Sequence, residues 1–388
     1  MTSVSQTFAP QQQSPRSVYI HVPFCRHRCG YCNFSVVADR DYLIQRFLRA
    51  IETEIQWLDR RYEIETLFLG GGTPSHLPSA DFERLFEIVR SRFDFTTDAE
   101  ITVECNPSDI TQERVALFDR LGVNRISLGV QSLNHSKLQR LERDHTAETV
   151  AEAVEQIRRR IDNVSMDLIF AAPDETLEDW RADLDAALSL GPNHLSTYEL
   201  TFEKGTQFWN RLSKGDLRQS DEDLCAAMYE YTLDRTADVG LSQYEVSSFS
   251  PIEFRCRHNL RYWSGDPYFA FGPGASRFVD RMRETNHGST MYYLKQMEFN
   301  QSPVADSEKL DPRSSAAERL AIGLRQNDGV EKAQFLNRTG FTVNDLLGEF
   351  RTTMLENRLA TDDGGVLRLT RGGMMICDRV SVEILDRL

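Results

Sequence analysis

Cys25, Cys29 and Cys32 stand in the run Tyr19-Ile-His-Val-Pro-Phe-Cys25-Arg-His-Arg-Cys29-Gly-Tyr-Cys32-Asn-Phe, a C-x3-C-x2-C spacing directly after a short apolar stretch. Three thiolates on one tight loop can each hold one iron of a cubane iron–sulfur cluster, leaving the fourth iron open to a small ligand. Zinc is the competing reading, and His27 inside the loop would allow a mixed site. Zinc sites usually close with a second ligand pair, however, and Cys105, Cys225, Cys256 and Cys377 are scattered. A disulfide framework suits a short secreted chain rather than one of 388 residues. The spacing therefore points to a cluster.

Further polar residues recur where predicted strands end, the rim at which parallel α/β folds bind ligands. Gly70-Gly71-Gly72-Thr73-Pro74 could bring the backbone close to a ligand, or be no more than a turn. Glu104, in Val-Glu-Cys-Asn-Pro, could accept both hydrogen bonds of a ribose diol; otherwise it is a solvated rim charge. Gln131, in Leu-Gly-Val-Gln-Ser, carries an amide that donates and accepts, which suits a nucleoside. Arg143 could grip a carboxylate as a fork, or sit on a surface helix. Asp167 lies in Ser-Met-Asp-Leu-Ile. A second motif is His258-Asn-Leu-Arg-Tyr262-Trp263, in which an imidazole adjoins flat aromatic faces. That combination could serve a haem, although a lone histidine is more often structural; Cys256 is a weaker candidate ligand.

The elements that must position these residues alternate in type. Strands are expected at 17–21, 66–69, 100–104, 125–130, 164–170 and 194–200. Amphipathic helices are expected at 42–58, 80–93, 149–161 and 177–190. Strand–helix repeats imply a parallel sheet with helical crossovers, and six units fit a partial (β/α)6 barrel better than a closed eight-fold one. The run Phe269-Ala-Phe-Gly-Pro-Gly-Ala-Ser reads as a tight loop closing the barrel mouth. The expected organisation is a disordered polar tail (1–15), the barrel (16–205), a barrel-completing segment with the His258 motif (206–300), and a smaller C-terminal helical, winged-helix-like domain (301–388). The wing is the hairpin around Gly364-Gly365, with a helix over about 374–387 after it. Hydrophobic residues at 40%, charged residues at 27% and a formal net charge of −14 describe a soluble globular chain that disfavours nucleic acid and anionic membrane. No run reaches transmembrane length and no signal-peptide pattern opens the chain. Metal-ligating thiols need a reducing compartment, which points to the cytoplasm.

Taken in order, YIHVPFCxxxCxYCxF, GGGTPS, ExNP, LGVQS, MDLI, YEVSSF, HNxxYW and GPGA resemble the oxygen-independent coproporphyrinogen III oxidase family of radical S-adenosylmethionine (SAM) proteins, over about residues 16–388. Within this HemN/HemW family the likeness is to the HemW branch of haem chaperones. The oxidase branch carries a fourth cysteine in a C-x-C ending, where this chain has Phe34. It also has a long extension before the cluster loop, where about two dozen residues precede Cys25 here. Two positions depart from the family pattern: Ala171-Ala172-Pro173 replaces Gly-Leu/Ile-Pro, which is read as stiffening one strand exit, and Ser276-Arg277 follows Gly-Pro-Gly-Ala in place of His-Ser, removing an auxiliary haem or substrate contact.

The resemblance implies that Cys25, Cys29 and Cys32 bind a [4Fe-4S] cluster. Tyr19, Tyr31, Gly71, Gly72, Thr73, Glu104, Gln131, Arg143 and Asp167 would line the SAM site, and His258 would attach or ligate haem. In the family the cluster can pass one electron to SAM and yield a 5′-deoxyadenosyl radical; the catalytic use of that chemistry in the chaperone branch stays open. The expected function is to hold haem and deliver it to haem-requiring proteins, with membrane-bound respiratory enzymes among the recipients considered, together with an electron donor. A homodimer and peripheral attachment to the membrane are left as options. The alternative is radical decarboxylation of coproporphyrinogen III in porphyrin biosynthesis.

Overall fold

The computed structural model describes residues 14–387; the tail expected at 1–15 lies, over residues 1–13, outside them. Six parallel strands lie side by side in chain order: β1 (Ser17–Val22), β2 (Tyr62–Gly71), β3 (Phe93–Cys105), β4 (Arg125–Gln131), β5 (Asn163–Phe170) and β6 (His194–Glu199). Helices cover the sheet, so its strands are buried on both faces and read as continuous apolar runs. Val18, Ile20 and Val22 of β1 and Val164, Met166 and Leu168 of β5 are fully buried. Helix starts are chemically marked. Thr146 and Thr176 open capping boxes, and Thr111 and Asn134 accept from the first-turn amides.

The α/β architecture expected from the sequence is present, with three local differences. The helix expected over 80–93 spans Ser79–Arg90, and Phe93 already belongs to β3. Phe269–Phe271, expected to be a loop, is a strand parallel to β1, with Ile20 paired to Phe271. At the other edge the antiparallel pair Gln243–Glu245 and Ser248–Phe249 continues from β6, giving nine strands in this sheet. Local aromatic propensity favoured β structure at Phe269–Phe271, and the glycines begin only at Gly272.

A second core, with Leu320, Phe335, Leu347, Met354, Leu367 and Ile384, gathers the C-terminal residues. Its hairpin pairs Ala360–Asp362 with Val366–Leu369, and the helix Cys377–Leu385 follows. Asp362 anchors this unit by pairing with both Lys332 and Arg351.

Candidate functional site

The strand order sets the site. The register opposes Glu104 to Ser127 and Asp167 to Ser196, so polar side chains from successive strands collect at one end of the sheet. There they border a cavity of about 630 Å³. Cys25, Cys29 and Cys32 line it, as do Tyr31 and the loop Gly71-Gly72-Thr73. Glu104, Gln131, Arg143 and Asp167 complete the polar wall.

The glycine loop is packed against the cysteine loop as closely as backbones allow. Gly72 and Thr73 donate their amides to the carbonyls of Val22 (2.8 Å) and Phe24 (2.7 Å). A Cβ on Gly72 would lie 2.7 Å from the Phe24 carbonyl oxygen, and Gly71 has φ +108°, so neither position tolerates a side chain. The glycines are therefore required by the approach of two loops, whatever ligand they also face. The Thr73 hydroxyl reaches Cys25 Sγ at 3.5 Å, and Cys32 N donates to the Cys29 carbonyl at 3.0 Å.

All three thiols are free, and among the described residues no group of three or more His, Cys, Asp or Glu side chains converges on a single metal ion. His27 pairs with Glu142 at 3.0 Å. Three free thiols lining one cavity agree with the ligand set of a cluster held at three of its irons, and among the described residues no set of His, Cys, Asp or Glu closes a mononuclear zinc site. Burial pushes the Cys25 thiol up to about 11 and that of Cys32 in the same direction, so iron must displace their protons.

On the opposite wall, the Glu104 carboxylate accepts the Gly71 amide at 3.0 Å. Burial raises its pKa to about 8, with the Asp167 charge adding to the effect. Asp167 is likewise raised by burial, against the pull of Arg125, and accepts Ser127 Oγ at 3.0 Å. Arg143 donates to the Gly129 carbonyl at 2.9 Å and lies 3.8 Å from Cys29 Sγ, which places it between the cysteine loop and β4 rather than on an exposed helix. Gln131 takes φ +64°, rare for a side-chain residue, where the β4–β5 register slips between Leu128 and Gln131. The bulge re-aims its amide into the cavity. A buried Lys137 holds this strand exit and the next together. It pairs with Glu175 (2.6 Å) and Asp183 (3.1 Å), which in turn accept the amides of Ala172 and Leu133.

Two expected site residues lie elsewhere. Tyr19 and His258 do not border this cavity; they line a smaller one of about 200 Å³ inside the barrel, which shares Glu104, Ser127, Asp167 and Tyr198 with the first. Tyr19 is tied to His21 Nδ1 at 3.2 Å. His258 is 1% exposed, and both of its ring nitrogens are engaged, with Thr66 Oγ1 at 2.8 Å and Tyr262 OH at 2.7 Å. Burial, with Arg125 nearby, lowers its pKa to about 3, so it is neutral. The helix Arg257–Trp263 that carries it is fixed by Glu100, which accepts the amides of Arg257 and His258 at 2.9 Å each. This motif builds the floor of the inner chamber, where its imidazole meets Thr66 and Tyr262. Cys256, its weaker substitute, is fully buried as well.

Several lining residues escaped the sequence reading: Ser127 and Arg125 on β4, and Tyr198 on β6. Tyr198 is 45% exposed and faces the large cavity. Arg125 and Ser127, six and four residues before Gln131, alternate along β4, a period-two signal that could have found them.

An α/β sheet carrying three thiols at its ligand-binding end defines the radical SAM class, and the description "Radical SAM superfamily" matches residues 19–187, with "HemN C-terminal domain" matching 310–376. Within that class the chain belongs to the HemW family. It is 35% identical to the "Heme chaperone HemW" of Lactococcus lactis, over 96% of this chain and 98% of that one. Identity to the protein of the same name from Bacillus subtilis is 31%, over 96% of this chain and 100% of that one. A mitochondrial "Radical S-adenosyl methionine domain-containing protein 1" of Mus musculus is 31% identical over 100% and 91% of the two chains. The structure of the coproporphyrinogen III oxidase HemN of Escherichia coli superposes with a TM-score of 0.84 at 20% identity, over 98% and 92% of the chains, a likeness of fold. Membership brings a [4Fe-4S] cluster and SAM as cofactors; when bound, the cluster supplies an electron to SAM.

Proposed function

We propose that this protein binds haem and hands it to haem-requiring proteins, as a radical SAM protein that does not decarboxylate coproporphyrinogen III. The observation that carries this reading is the end-to-end likeness to HemW proteins. Phe34 supports it: where the oxidase branch has a fourth cysteine, this side chain is 61% exposed on the cavity rim and offers no thiol. In this reading Cys25, Cys29 and Cys32 hold the cluster. Arg143 and the Gly71–Thr73 loop receive the amino-acid end of SAM, while Glu104, Gln131 and Asp167 face its nucleoside. Tyr31 packs edge-on against Phe208, centroids 6.0 Å apart, and walls the cavity on the cluster side. Tyr19 acts from below, through the inner chamber.

The reading extends to membrane-bound respiratory enzymes as recipients, an external electron donor, a cytoplasmic location and a homodimer. Free thiols at all seven cysteines agree with a reducing compartment. Among the described residues no helix is long and apolar enough to cross a membrane, so contact with membrane-bound recipients would be peripheral.

The test is anaerobic: the reconstituted protein is offered haem and, separately, coproporphyrinogen III with SAM and a reductant. Saturable haem binding without decarboxylation is expected. Formation of vinyl porphyrinogen would overturn the reading in favour of the oxidase.

A further inference from the structure

Arg125 opens β4, lines the inner chamber and is only 2% exposed. Among the described residues no hydrogen bond or ion pair reaches its guanidinium, and its Nε is buried without a partner. A buried cation is costly unless a counter-charge and hydrogen bonds meet it. The groups close enough to feel this charge are Cys256, Glu100, Tyr244 and Asp167, and each is engaged elsewhere. Glu100 accepts the amides of Arg257 and His258, and Cys256 Sγ lies 3.7 Å from it. The Tyr244 hydroxyl meets His194 Nε2 at 2.8 Å and accepts the Cys256 amide at 3.2 Å. Asp167 accepts Ser127 Oγ. The guanidinium, a planar fork of donors, is left facing the chamber.

The chamber has the other parts of a binding site. Asn259 lines it, and among the described residues its side-chain amide makes no hydrogen bond. Tyr19 and Phe68, ring centroids 6.1 Å apart, give it an apolar side. Its volume of about 200 Å³ exceeds what one water needs. A cavity of ~150 Å³ takes a benzene, so this one takes a small organic molecule and not a nucleoside or a macrocycle. Glu104 and Asp167, which it shares with the large cavity, repel a dianion and admit a singly charged ligand more readily.

We infer that the inner chamber binds a small monocarboxylic acid, its carboxylate on Arg125 and Asn259 and its alkyl stem against Tyr19 and Phe68. A carboxylate matches the guanidinium fork in two parallel hydrogen bonds, and the asparagine amide adds a third donor. The acid enters from the large cavity, since the two spaces share four wall residues, and a nucleoside against Glu104 and Asp167 would cover it. Such a group comes either as a free acid or as the propionate arm of a porphyrin; only the second source rests on the haem reading above.

The experiment titrates the full chain, without haem, with ¹³C-labelled propionate, followed by NMR saturation transfer. Saturable binding is expected, undisturbed by inorganic phosphate. Arg125→Met and Asn259→Ala should each weaken it, the first by ~tenfold or more, as for loss of a charge-assisted hydrogen bond. Propionate should also raise the melting temperature of the wild-type chain and not that of Arg125→Met. Methionine fills much of the same space without a charge, and Asn259→Ala leaves the sheet untouched, so the comparison does not depend on one variant folding. Haem and haem dimethyl ester are then offered as competitors. Displacement of propionate by haem but not by its ester would identify the porphyrin arm; displacement by neither would identify a free acid. No saturable propionate binding, or wild-type affinity in both variants, would overturn the site. Failure of the chain to bind haem would remove the haem reading and leave the free-acid site standing.

Discussion

The Gly71 amide donates to the Glu104 carboxylate at 3.0 Å across neighbouring strands, and this contact joins the glycine loop, itself laid on the cysteine loop, to the acid at the end of β3. Cluster ligands and nucleoside-facing groups are thus one connected structure. Disturbing either side of this contact has readable consequences.

Glu104 is protonated over much of the neutral range because burial raises its pKa to about 8. A carboxylate accepts both hydroxyls of a ribose, so SAM affinity should rise as pH increases through about 8, and Glu104→Gln should flatten that rise. At high pH the variant should bind ~ten- to hundredfold more weakly, as for loss of a charged hydrogen bond worth ~1.5–3 kcal/mol. Calorimetric titration across pH checks it; equal affinity at every pH would move the ribose elsewhere.

The same group affects stability in the opposite sense. Its folded pKa lies above its unfolded value, so the native state binds more protons between about 4.5 and 8, and stability falls as pH rises through that window. Glu104→Gln removes this contribution. Its melting temperature relative to wild type should therefore climb as pH rises from 5 to 8.

Replacing Cys25, Cys29 or Cys32 by Ala should each abolish the cluster's EPR signal, while replacing the buried Cys105 or Cys377 should leave it. Iron and sulfide analysis of reconstituted protein should give about four of each per chain. A full cluster without Cys29 would contradict the assignment.

Ala171 takes φ +60° at a position where the family pattern has glycine. A side chain in that region costs ~1–2 kcal/mol, and glycine's extra unfolded entropy offsets part of the relief. Ala171→Gly should stabilise the protein by about 0.5–1 kcal/mol in denaturant unfolding. Lys137→Ala, by contrast, strands two buried carboxylates and should destabilise it by ~3–5 kcal/mol.

Much of this was readable in the sequence. The six sheet strands announce themselves because strands covered on both faces must be apolar throughout, and the thiol loop because few ligand sets share its spacing. What hid was burial. Nothing in the linear His258 motif tells that its imidazole is buried and bonded; Thr66, its partner, lies far off in sequence. Tyr19 looked like part of the SAM wall, yet its place on β1 turns it toward the inner chamber. Phe269–Phe271 escaped notice because the glycines after it suggested a loop, while the β1 edge it completes exists only in three dimensions.

The most direct test of the haem-carrier account is an anaerobic haem titration of the cluster-reconstituted wild-type chain. The account predicts a saturable Soret signal that ends at one haem per chain. A titration that shows only linear, unsaturable absorbance would contradict it.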